Sequence, residues 1–199
     1  YIALGVNTTG ASNTAIGTYA LRDNVTGSCN TAVGVAALRV TTAGCNTAVG
    51  TCSLYENTSG VNNTAVGKDA LFFNTSGYSN VAVGKDSLKA NTTGRLNTAT
   101  GENSLSANTT GCCNTAVGEY ALKANTTAND NTAVGLNSLK TNTTGTSNAA
   151  VGYETLNDST TGSNNTAFGR RGLWKNTTGY ANTAIGQSAG RDNTTGCCN

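Results

Sequence analysis

Histidine, methionine and proline do not occur in the 199 residues of this chain. Without histidine the commonest general acid–base side chain is missing, and zinc loses one of its usual ligands. Without proline, the turns fall to glycine, asparagine and threonine chemistry. Charge is scarce as well: charged residues make up 11% and the formal net charge is +2. That leaves no basic stripe for nucleic acid and no acidic tail. It also argues against ordinary disorder, which pairs low hydrophobicity with high net charge. Hydrophobic residues reach only 37% and are thinly spread, so a broad three-dimensional core is not expected. No run of about 18 apolar residues exists to span a membrane as a helix. No signal peptide is seen. The chain opens on "YIALG" and closes on "CCN", inside a pattern, and is read as a section of a longer mature protein.

What is present is repetition. The motif N-T-A-V-G recurs with its Asn at Asn13, Asn30, Asn46, Asn63, Asn80, Asn97, Asn114, Asn131, Asn148, Asn165 and Asn182. The step is 17 residues, except for 16 between Asn30 and Asn46. The consensus is N-T-A-V-G-x-x-A/S-L-x-x-N-T-T-G-x-x, numbered here as positions 1 to 17 of the unit. Residues 1–199 form one array: a partial copy at 1–12, eleven full copies over 13–198, and the start of another at 199. The short step reads as a residue lost between Gly44 and Asn46, because Gly27 and Gly44 keep the 17-residue spacing.

A 17-residue unit rich in Thr, Val, Gly and Asn is too short for a helical hairpin and poor in helix formers. It predicts an all-β parallel β-solenoid with one coil per repeat, an elongated rod. "TAV" and "AL" are the expected strand cores, with "VG" and "TTG" as turns. The Gly at position 5 stands in every full copy, from Gly17 to Gly186, and implies positive φ or a close approach that excludes a Cβ. Positions 4 and 9 carry the large apolar side chains and are expected to face inward. At about 4.8 Å per coil the array would be roughly 50–55 Å long.

The "NTAVG" units resemble the N-S-V-A-I-G-x-x-S repeats of trimeric autotransporter adhesin heads. They are closer to the "NTAVGxxAL…NTTG" repeats of bacterial adhesin-like and phage tail-fibre-like proteins. The resemblance covers nearly the whole chain. It implies a left-handed parallel β-roll, placed outside the cell or on a cell or virion surface, and often a homotrimer. The 17-residue coil and the cysteines depart from the adhesin-head pattern, and they leave a single-chain solenoid or an end-to-end filament open beside the trimer.

Each unit carries two asparagines. The position-1 Asn, from Asn13 to Asn182 as given above, is mostly followed by Thr-Ala and is not an N-x-S/T acceptor. It reads as a structural ladder of stacked amides. The position-12 Asn stands at Asn7 (in the partial copy), Asn24, Asn57, Asn74, Asn91, Asn108, Asn125, Asn142, Asn176 and Asn193, each with Ser or Thr two residues on. Where Ser159 replaces it, Asn157 supplies the triplet instead; where Thr41 replaces it, none follows. Two readings stand open for this ladder: a turn alone, or a turn that also displays covalent N-glycans. Asn62 and Asn164 match the acceptor rule in another phase and read as incidental.

Six of the cysteines, Cys29, Cys45, Cys112, Cys113, Cys197 and Cys198, cluster just before a position-1 Asn, and Cys52 stands apart. They are disulfide candidates, with Cys29 and Cys45 on neighbouring coils and the two Cys-Cys pairs suited to joining chains. No catalytic constellation, metal-ligand spacing, phosphate loop or cofactor motif is visible, and the aromatics read as scattered single residues. The expectation is a non-enzymatic extracellular filament component that self-associates. The alternatives are the shaft of an adhesin or phage tail fibre and an ice-binding solenoid with flat Thr ladders.

Overall fold

The computed structural model describes residues 2–199; Tyr1, the first residue of the partial copy, lies outside them. The chain is an all-β parallel solenoid. Eleven three-residue strands, from β1 (Thr14–Ile16) through β6 (Thr98–Thr100) and β7 (Thr115–Val117) to β11 (Thr183–Ile185), form one sheet in sequence order. Register follows the repeat. Thr98, Ala99 and Thr100 pair with Thr115, Ala116 and Val117, and the other strands pair in the same phase.

Only half of the expected core is in place. Leu at position 9 is buried from Leu21 to Leu173, and Ala at position 3 is buried from Ala32 to Ala184. Position 4 points outward instead: Ala116 is 0% exposed while Val117 is 37% exposed. The strand period of two decides this, since adjacent residues cannot share a face. The strict Ala takes the inside, where coils stack too closely for a larger side chain. Thr at position 2 and Val at position 4 are left on the outer face.

The "AL" segment is not a second strand. It lies in successive turns, in which the Ala20 amide donates to the Gly17 carbonyl, that of Arg22 to Tyr19, and that of Asn24 to Leu21. Positions 7 and 9 therefore take positive φ, 61° at Tyr19 and 50° at Leu21, as the third residue of a type II turn requires. The segment still bonds coil to coil, with the Leu21 amide donating to Ala37 and that of Leu38 to Ser53. A buried Leu in the left-handed region is a local cost, met here by a core position that repeats along the rod.

The short coil is also placed differently from the expectation. Thr42 donates to the Thr58 carbonyl as the position-13 Thr75 does to Thr92. Ala43 offers its carbonyl to Asn30 as the position-15 Gly77 does to Asn63. The residue lost is thus the position-14 Thr of the turn, and Ala43 stands in for the glycine. A turn residue on the outside is the cheapest one to delete, because no inner ladder passes through it.

Candidate functional site: two inner ladders and three outer surfaces

Both asparagine ladders run inside the rod. At position 1, Asn114 donates its backbone N–H to Asn97 Oδ1 at 3.0 Å and its Nδ2 to the Ala128 carbonyl at 2.8 Å. At position 12, Asn108 Nδ2 donates to Asn91 Oδ1 at 2.9 Å and to the Gly111 carbonyl at 3.1 Å, while its Oδ1 accepts from Asn125 Nδ2 at 2.9 Å. The Gly111 carbonyl also accepts from Asn97 Nδ2, at 2.8 Å. The two ladders therefore converge on the position-15 carbonyl of each coil. A Cβ at position 15 would enter that junction: at Gly111 it would lie 2.4 Å from Asn108 Oδ1.

This geometry gives no support to the glycan reading of the position-12 ladder. Asn24, Asn57, Asn74, Asn91, Asn108, Asn125, Asn142 and Asn176 are all buried. The nitrogen to which a sugar would attach is the one that donates inside the rod. Asn7 and Asn193 are half-buried and donate to Gly10 and Gly196 in the same way. Asn157 is half-buried, with its Nδ2 on the Asn137 carbonyl at 3.1 Å. The acceptor asparagines that stand exposed are the two out of phase, Asn62 and Asn164. A signal for the inward orientation was present in the sequence: where the Asn is lost, Thr41 and Ser159, small and hydrogen-bonding, take its place.

Those two replacements leave marks. Asn24 Oδ1, facing Thr41, and Asn142 Oδ1 and Ser159 Oγ, facing each other, are buried without a hydrogen-bond partner. Ser159→Asn restores the consensus NTT and supplies both missing partners, a donor for Asn142 and an acceptor for Asn176. It is expected to raise stability by about 1–2 kcal/mol, read as a higher urea midpoint. An unchanged or lower midpoint would show that the interruption is not a defect.

Beside the Thr corner at positions 13 and 14, where Thr110 is exposed, three surfaces remain outside. The sheet face carries the position-2 Thr and position-4 Val ladders. The turn face, at positions 6, 7, 10 and 11, holds every Lys and Arg except Arg95 and every Asp and Glu except Asp130. Ion pairs there join successive coils: Arg171 to Glu154 at 2.7 Å, Lys85 to Glu102 at 2.9 Å. Burial works against the Glu154 charge, but hydrogen bonds from Tyr153 and Arg171 outweigh it and hold the carboxyl below its usual range. Burial, and then the Glu154 charge, push the Asp158 carboxyl up. The aromatics are not scattered. Tyr55 stacks on Phe72 with centroids 4.9 Å apart, Phe72 meets Phe73 edge-on at 4.6 Å, and Lys123 and Lys140 lie over Tyr120. Stacking across coils explains this, since equivalent positions fall one strand spacing apart.

The third surface is the edge formed by positions 16 and 17, where the six clustered cysteines lie. All seven cysteines are free thiols; Cys29, Cys45, Cys113, Cys197 and Cys198 are exposed, and Cys52 and Cys112 are half-buried. The expected bond between Cys29 and Cys45 is not formed within the chain, nor is any bond within the Cys-Cys pairs. The hydrogen bond with Cys112, and then burial, raise the Cys113 thiol. Among the described residues no group of three or more His, Cys, Asp and Glu is placed to hold a metal ion, and no helix is long and apolar enough to cross a membrane. Comparison of the chain with protein-family models, curated proteins and solved structures found no match.

Proposed function

We propose that this chain is a structural part of an extracellular filament or appendage. The observation that carries the reading is the continuity of the ladders. The position-1 amide of each coil is bonded to the coil before and the coil after, and the position-12 ladder is interrupted only at Thr41 and Ser159, so the unit propagates along one axis. Stacked amides and parallel strands give stiffness along the rod at little cost in large apolar residues. The resemblance of the repeats to adhesin-head and tail-fibre-like units supports a place outside the cell. It supports equally the shaft of an attachment fibre.

Electron microscopy of native material separates these roles. Long uniform fibres, with a diffraction spacing of about 4.8 Å along the axis, are expected. Discrete rods ending in a globular head would favour the shaft instead, and compact particles would sink both. A second reading has one observation in its favour. The position-2 Thr and position-4 Val ladders form an in-register outer face without charge, the kind of surface that can order water at an ice front. Thermal hysteresis of the purified chain tests it, and an unaltered freezing point would remove it.

A further inference from the structure

The position-17 residues share one backbone conformation. From Cys29 to Cys198 their φ lies between 53° and 60°, so their side chains leave the same edge in the same direction. Their order along that edge is close to a palindrome centred on Cys113. Ser79 and Ser147 lie two coils away on either side, Asn62 and Asn164 three, and Cys29 and Cys198 five. Two of the five pairs break the symmetry, Leu96 with Asp130 and Cys45 with Ala181, and the first break is informative together with the residue before Leu96. One coil before Cys112–Cys113 stands Arg95, and one coil after stands Asp130. These are the two charged residues absent from the turn face. Both are exposed, and neither belongs to an ion pair among the described residues. They sit roughly 10 Å apart at the usual strand spacing, too far to pair within the chain.

We propose that this edge is an isologous interface with a second copy of the chain, lying antiparallel about a two-fold axis at Cys113. Such an axis sets each coil against the coil equally far on the other side of Cys113, at the same position in the unit. The residue set directly opposite Asp130 of the second copy is Leu96; Arg95, at position 16, stands one position to the side and reaches Asp130 diagonally with its long side chain, twice. Asn62 faces Asn164, and Ser79 faces Ser147, as hydrogen-bonding pairs of like side chains. Leu96, 52% exposed, lies beside the axis as the apolar part of the contact. Thiols meet at three places: Cys113 with Cys113 of the second copy, and Cys29 with Cys198 at each end. At each place two thiols form one S–S bond and give up two protons and two electrons. A small disulfide such as oxidised glutathione accepts them and is cleaved to two thiols. A parallel pair would oppose Arg95 to Arg95 and gains nothing from the palindrome.

The test uses the whole chain carrying Cys112→Ser and Cys197→Ser, so that each Cys-Cys site keeps one thiol. It is reduced, then reoxidised in a glutathione buffer and mapped by mass spectrometry without reduction. The expected product has twice the 20.0 kDa of one chain, with Cys29 linked to Cys198 and Cys113 linked to itself. A Cys29–Cys198 link cannot form within one rod, where the two lie about 48 Å apart. Links of Cys29 to Cys29, a Cys29–Cys45 bond within the chain, or monomer alone would each overturn the pairing. Charge supplies an independent check. Arg95→Asp is expected to slow dimer formation about tenfold at low salt, and adding Asp130→Arg is expected to restore it. A double variant as slow as the single one would sink the antiparallel register.

Discussion

Gly118→Ala is expected to be the most damaging single-methyl substitution in the middle of the rod, costing more than about 4 kcal/mol. Two effects add there. The φ of 130° at Gly118 is one that an L side chain rarely adopts, a cost of about 1–3 kcal/mol by itself. The new Cβ would also lie 2.6 Å from the carbonyl carbon and oxygen of Gly135 on the next coil. That neighbour is backbone and cannot swing aside. Moving it would break the bonds that fix the spacing, Gly118 N–H to the Thr100 carbonyl and Gly135 N–H to the Val117 carbonyl, both 2.7 Å. Gly186→Ala is the control. It has a φ of 122° but no atom within 4 Å of the built Cβ, so it should show the conformational cost alone. Urea denaturation of both variants separates the two contributions, and equal losses would mean that close stacking is not what demands glycine. Because each coil touches only its neighbours, hydrogen exchange should rise first in the coils beside residue 118.

Position 5 shows how far the sequence could be read. A glycine in every copy declared a special backbone, and the 17-residue step declared one coil per unit. Both follow from local chemistry that repetition amplifies. The faces were less legible. Val at position 4 reads as core by hydrophobicity, yet the strand has room inside only for the Ala beside it, and only the stacked coil reveals how narrow that interior is. "AL" reads as strand by composition, but Leu in the left-handed region has no sequence signature, since glycine or asparagine normally marks it. The NTT triplet was the hardest feature to orient. Its Asn and its second Thr lie on opposite sides of the wall, one buried and one exposed, as Asn108 and Thr110 show. A motif rule reads both as surface.

That division makes the strongest test of the inner ladder, because Asn108 and Thr110 belong to one triplet and should behave oppositely. Asn108→Ala orphans Asn91 Oδ1 and removes one of the two amides that converge on the Gly111 carbonyl. It also leaves Asn125 Nδ2 with only the Ala128 carbonyl. A loss of about 2–4 kcal/mol is expected. Thr110→Ala abolishes the acceptor triplet as completely, yet Thr110 is exposed and should cost no more than about 0.5 kcal/mol. If the triplet mattered as a sugar site, both variants would lose the same mass in a glycosylating host. With the amide nitrogen held inside, neither should. Asn108→Asp then reads the interior directly. The new carboxylate would face two acceptors, Asn91 Oδ1 and the Gly111 carbonyl, so burial raises its pKa in the folded rod above the unfolded value of about 3.9. Stability is therefore retained below pH ~4, where the protonated acid can still donate one hydrogen bond, and is lost progressively as pH rises from the unfolded pKa through the raised folded one. At neutral pH the loss should reach about 3–5 kcal/mol. A pH-independent melting curve for Asn108→Asp would mean that position 12 sees solvent, and the inward ladder would fall with it.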